Sequence, residues 1–210
     1  MKDNYNDLKE LFEDWKEAHK KDDHWLDTFP KCPCCGAMPP EDFKISFTYD
    51  GYLTDNKEIK LLFIGRESNV SADIKAFGKA KECFWMKDGK GKVRENYEKY
   101  LKEIAEALHV DYKNCAYMNI NKRGGYGACS YDSLLNYVNV YRKFIKNEIE
   151  IISPKKVVFL GLGNYTYRKE IQSDIKFIDE KIDCYVVHHP SASGRGKSVE
   201  KLKNNSLCPT

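Results

Sequence analysis

Leu61-Leu62-Phe63-Ile64-Gly65, followed at once by Arg66-Glu67-Ser68-Asn69, is the stretch on which the fold reading turns. An unbroken apolar run ending in glycine suits a strand covered on both faces, as in a parallel sheet. The form recurs at Val157-Val158-Phe159-Leu160-Gly161 and, shorter, at Tyr185-Val186-Val187-His188. Residues 114–118 (NCAYM) read as a further strand that ends at Asn119. Between these runs, apolar residues recur at spacings of three and four. Residues 94–108 place Tyr97, Leu101, Ile104, Ala105 and Leu108 on one side, and residues 132–152 turn Leu135, Val138, Phe144, Ile145 and Ile149 inward before Pro154. Residues 164–172 and 196–205 read as shorter helices. Strands alternating with helices predict an α/β fold: a three-layer α/β/α arrangement around a central, mostly parallel four-stranded sheet.

Working outward, residues 5–22 predict an amphipathic helix through Leu8, Leu11, Phe12, Trp15 and Ala18. A loop rich in proline and cysteine follows, and residues 43–48 (FKISFT) alternate as a short strand before an Asp50-Gly51 turn. This predicts an N-terminal helix and Cys/Pro-rich loop over 1–42, packed on an α/β domain over 43–210. The 210 residues are enough to bury a core without disulfides. Hydrophobic residues at 41% and charged residues at 32% exclude a disordered chain, and no apolar run approaches the roughly 20 residues of a spanning helix. The first residues, MKDNYNDLKELFEDW, are charged rather than apolar, which predicts a cytoplasmic protein with no membrane partner. A net charge of +3 neither requires nor excludes nucleic acid. The basic residues are 29 Lys and only 6 Arg, so each arginine position carries information.

Ligands of open α/β sheets bind beyond the carboxyl ends of the strands. Three loops are expected there: Gly65–Asn69, Asn119–Gly125 and His189–Gly196, and three of the six arginines (Arg66, Arg123, Arg195) fall in them. A carboxylate can place water or face a cation, and an amide can read a base edge as both donor and acceptor. A histidine can stabilise a developing anion, and arginines can hold phosphates. Together they suit cleavage of a glycosidic bond in a nucleotide. Each residue also has a plainer reading. Glu67 can cap a helix, Asn119 can tie a loop backbone, and Phe84 or Trp85 can be core. His188 and His189 are adjacent and so face opposite sides of a strand, with His189, before Pro190, the better candidate. Gly161-Leu162-Gly163 is a tight turn rather than a dinucleotide loop, since Thr166 stands where a third glycine is required.

IKLLFIGRESN, CAYMNINK, KKVVFLGLGNY and VVHHPSAS, in that order over roughly residues 58–200, resemble the uracil-DNA glycosylase superfamily. The resemblance implies a glycosylase-like fold and hydrolytic excision of uracil or a related deaminated base from DNA, by a monomer with no required cofactor. It implies that Glu67 places water and that His189 stabilises the leaving base anion. It implies base contacts from Asn119 (with Asn121 as the nearby alternative), Phe84 (or Trp85), Gly65 and Asn69, and phosphate contacts from Ser191, Ser193, Arg195, Arg66 and Arg123. The Gly65–Asn69 loop departs from the family pattern at Ser68, Asn69 and Arg66. That departure motivates two alternatives: a binding member of the fold without cleavage, and a hydrolase of free nucleosides or modified nucleotides.

Of eight cysteines, Cys32 and Cys35 form a Cys-x-x-Cys-Gly turn that suits a structural zinc knuckle, with His24, Cys34 or a distant cysteine as further ligands. An iron–sulfur cluster is not expected, because Cys129 finds no fourth cysteine partner.

Overall fold

The computed structural model describes residues 5–29, 38–39, 41–54, 56, 58–69, 83–84, 95–125, 130–163, 166–204 and 206–207, with backbone alone at 42, 68, 69, 83, 84 and 95. In chain order its elements are α1 (Leu8–Lys21), β1 (Thr48–Tyr49), β2 (Gly51–Tyr52), β3 (Leu61–Asn69), β4 (Cys83–Phe84), α2 (Glu95–Ala107), β5 (Cys115–Gly125), α3 (Tyr131–Ile152), β6 (Lys156–Leu160), α4 (Thr166–Ile178), β7 (Asp183–Val187) and α5 (Arg195–Lys203). The class is α/β, as the alternating pattern predicts. The sheet has five strands rather than four, in the order β2-β5-β3-β6-β7. The added strand is β2, which pairs antiparallel with β5 (Gly51↔Tyr117, Tyr52↔Ala116), while β3–β6 and β6–β7 are parallel. Two residues are too few to show an alternating pattern in sequence, so this edge strand was not expected.

The chain forms two compact units. One comprises Met1–Tyr49, Arg66–Phe84 and Asn119–Ile151; the other comprises Asp50–Gly65, Trp85–Met118 and Ile152–Thr210. In the second unit, Leu61, Phe63, Val158, Leu160, Tyr185 and Val187 pack with Tyr100, Leu101 and Ile104 of α2 and Val199 and Leu202 of α5. The alternate residues Leu62, Ile64, Val157 and Phe159 are also fully buried. The α4 guanidinium of Arg168 lies 6.0 Å from the Phe159 ring centroid on that face. Burial on both faces is why these strands read as continuous apolar runs.

The first unit is built on aromatic packing around α1. Asp7 caps this helix by accepting from the Glu10 N–H at 2.9 Å. Its buried stripe is Leu8, Leu11, Phe12, Trp15 and His19, the last in place of the expected Ala18. Trp15 stacks on Phe144 of α3 at 5.3 Å and 11°, with the Phe47 ring edge-on at 5.9 Å. In α3 the inward residue is Leu134, where Leu135 was expected. The helix ends as Ser153 takes a left-handed φ of 50° ahead of Pro154.

The expected strand over 43–48 is instead a 3-10 turn at Glu41–Ile45, with β1 beginning only at Thr48. Ser46 closes the turn, its N–H and Oγ both donating to the Phe43 carbonyl at 3.1 and 2.8 Å. Ile45 is 43% exposed between buried Phe43 and Phe47. The apolar alternation therefore does not mark one strand face.

Candidate functional site

Strand β3 does not stop at Gly65. It continues through Asn69, so Glu67 sits on a strand rather than on the loop expected there. Within the first unit, Glu67 Oε2 accepts from Asn121 Nδ2 at 3.2 Å. Its Oε1 is buried and accepts no hydrogen bond from the described residues. The missing side chain of Gly125 makes room for this carboxyl. A Cβ there would overlap the carboxyl carbon and both oxygens, with Oε2 only 2.6 Å away. Burial pushes the Glu67 carboxyl up to about 7. The Asn121 hydrogen bond and the neighbouring Arg66 charge pull the other way without overcoming it.

Strand β5 likewise runs on from the expected stop at Asn119 to Gly125, and all eleven of its residues are buried. The polarity of Asn119, Asn121, Lys122 and Arg123 suggested a loop. The first unit absorbs it by supplying internal partners. Arg123, expected as a phosphate contact, is fully buried. Its guanidinium donates to the Lys44 carbonyl at 3.2 Å, to Asp22 Oδ2 at 3.1 Å, to the Tyr141 hydroxyl at 3.0 Å and to Thr28 Oγ1. It lies 5.9 Å from the Trp25 ring centroid. It offers no surface to a phosphate, and its role is to tie the first unit together. Lys122 is equally buried and pairs with Glu148 at 2.8 Å. Close by, His19 bridges the Ser46 carbonyl (3.1 Å) and the Tyr137 hydroxyl (2.8 Å), and burial holds its titration well below the usual range.

In the second unit, β6 ends at Leu160 and Gly161 follows with φ +69°. His189 packs directly on it. A Cβ at 161 would lie 2.6 Å from the His189 Cβ and 3.1 Å from its backbone nitrogen. The Ser191 N–H donates to His189 Nδ1 at 3.2 Å, which leaves the proton of a neutral ring on Nε2. The Tyr97 ring meets the imidazole edge-on at 5.9 Å and 74°, and the Tyr97 and Tyr117 hydroxyls are 2.9 Å apart. Burial pushes the Tyr97 phenol up to about 12. His188 is the outward member of the pair, with Nδ1 2.6 Å from Ser198 Oγ of α5. Ser191, Ser193 and Arg195 are exposed, and Arg195 Nη1 donates to the Pro190 carbonyl at 3.0 Å.

Asn119 is buried within β5, and Gly65 is buried within β3 beside half-buried Arg66. The side chains of Ser68, Asn69 and Phe84, and all of Trp85, Cys32, Cys34, Cys35 and Cys129, lie outside the described residues. Among the described residues no group of three or more His, Cys, Asp or Glu side chains could hold a metal ion. Cys115 and Cys184 are buried thiols, pushed by burial up to about 12 and about 11. Sequence reasoning did not find Gly125 or Tyr97. The adjacent glycines 124 and 125 after a polar run were the available signal for the first. For Tyr97 there was none, because its helical spacing marks it as core.

No family model and no curated protein matches this chain. Among the described residues, no helix is long and apolar enough to cross a membrane.

Proposed function

We propose that this chain hydrolyses an N-glycosidic bond, excising uracil or a related deaminated base from DNA on a three-layer, uracil-DNA glycosylase-like fold. The observation that carries the reading is Glu67, a buried carboxyl held by one neutral amide and pushed up to about 7. A general base works best when it titrates near the working pH. The order of the strand-end motifs supports the same reading, as does the hydrogen bond from the Ser191 N–H to His189 Nδ1, which in a neutral ring puts the proton on Nε2. In this mechanism the bond between the base and the sugar C1′ breaks, and its electron pair leaves with the base. The His189 Nε2–H donates to that anion. Water adds to C1′ as the Glu67 carboxylate takes its proton, and the proton then passes to the released base. Ser191, Ser193 and Arg195, all exposed, are the proposed phosphate contacts.

The test uses labelled oligonucleotides, single- and double-stranded, that contain uracil, hypoxanthine, xanthine or a mismatched thymine. Alkali then cleaves any abasic site. Glu67→Gln is expected to lower the rate about 10²–10⁴-fold. His189→Ala is expected to lower it about 10²–10³-fold. In the wild type, kcat/KM is expected to rise with pH through about 7, as Glu67 ionises. Folded protein that binds DNA but cleaves none of these substrates would overturn the reading in favour of a binding module. Cleavage of free nucleosides alone would place the same chemistry on a smaller substrate.

A further inference from the structure

Asn121 is fully committed. Its Oδ1 accepts from the Arg123 N–H at 2.9 Å, and its Nδ2 donates to the Gly124 carbonyl at 3.1 Å and to Glu67 Oε2 at 3.2 Å. The first two partners are backbone groups. An N–H can only meet the amide oxygen, and a carbonyl can only meet the amide nitrogen, so the orientation of the amide is settled without reference to Glu67. The remaining Nδ2–H points at the carboxyl. Asn121 is therefore not available to read a base edge, the alternative role that its sequence position suggested.

We propose that Asn121 is the positioning residue for Glu67: it holds the carboxyl by Oε2 in the space that Gly125 leaves, and binds the carboxylate in preference to the acid. Each step has a physical cause. A donor strengthens its hydrogen bond when the acceptor becomes charged, so the Asn121 N–H holds the carboxylate more tightly than the acid. Gly125 leaves the space that the carboxyl fills, so the group is confined on that side as well. Without the amide, the carboxyl keeps its burial and loses its donor. The catalytic consequence rests on the glycosidase reading above, whereas the hydrogen-bond assignment does not.

The experiment follows the Glu67 carboxyl in the full-length protein by difference infrared spectroscopy across pH, its band identified by its loss in Glu67→Gln. Asn121→Ala is expected to make Glu67 bind its proton about tenfold more tightly. A second measurement needs no change at Asn121. In the wild type, the NMR signals of the Asn121 side-chain amide should move with the Glu67 titration, and in Glu67→Gln they should stop moving. A Glu67 midpoint that is unchanged or lower in Asn121→Ala overturns the assignment, as does an amide signal that ignores the titration. If Asn121→Ala does not fold, the amide signal decides. Where cleavage is measurable, the same substitution should lower kcat with KM little changed and move the pH profile upward with the infrared midpoint. If no substrate is cleaved, the glycosidase reading fails while the two spectroscopic readouts still judge Asn121.

Discussion

Glu148 and Glu67 are two inward-facing glutamates of the first unit, and they are matched differently. Glu148 on α3 is fully buried and meets the Lys122 ammonium at 2.8 Å. That ammonium also lies 5.2 Å from the ring centroid of Phe12 and 5.5 Å from that of Trp15. Glu67 on β3 meets the neutral amide of Asn121 at 3.2 Å, and burial leaves its carboxyl at about 7. A full opposite charge at contact fixes a buried carboxylate as part of the frame, because separating the pair leaves an uncompensated ion in a poor solvent. A single neutral donor offsets only part of the desolvation and leaves the proton free to come and go near neutral pH. The first arrangement suits structure, and the second suits chemistry.

Breaking the Glu148 pair should have the largest effect. Lys122→Met removes the ammonium that meets the buried Glu148 carboxylate and is expected to cost about 3–5 kcal/mol in urea unfolding. The Lys122→Met/Glu148→Leu double variant should regain most of that loss. Glu67→Gln should act in the opposite direction and depend on pH. The folded carboxyl titrates at about 7 against an ordinary value of 4.5, so the folded state holds the proton more tightly than the unfolded state does. The stability that this proton confers is complete below pH 4.5 and lost as pH rises through 7. Glu67→Gln should therefore match the wild type at pH 4 and exceed it by about 3 kcal/mol at pH 8. Gly125→Ala forces a methyl group into the carboxyl's place and should cost about 1–3 kcal/mol in thermal unfolding, with loss of whatever activity depends on Glu67. Arg66→Gln should have the smallest effect. It removes a charge that favours the carboxylate, so the Glu67 infrared midpoint should rise, but by less than in Asn121→Ala, because Arg66 is half-buried and partly screened.

Much of the fold was legible because the second unit's strands are covered on both faces. Leu61–Ile64 and Val157–Leu160 have no polar face to interrupt the run. The first unit was less legible for the opposite reason. Its strand ends carry Lys122 and Arg123, which read as solvent-facing until α1, α3 and the turn at Trp25–Thr28 supply partners for them. No local pattern shows that an arginine will be met by Asp22 and Tyr141, which lie 101 and 18 residues away in sequence. Glu67 and His189 could be singled out because the polar residues that follow apolar strands are few. Asn121 was legible only as an alternative base contact and not as the partner of Glu67, and Tyr97 was not legible at all, because an amide within a polar run and a tyrosine at helical spacing each have an ordinary structural explanation.

The stacking of Trp15 on Phe144 has an optical consequence. The chain has three tryptophans, and two of them, Trp15 and Trp25, are buried in the first unit. A Trp85→Phe variant would therefore emit from that unit alone. With the Lys122 ammonium 5.5 Å from the Trp15 ring, the emission wavelength would also register the state of the buried ion pair. Fluorescence in that variant can follow the melting of the first unit while circular dichroism follows the whole chain, and the separation between the two curves measures how far the units unfold independently.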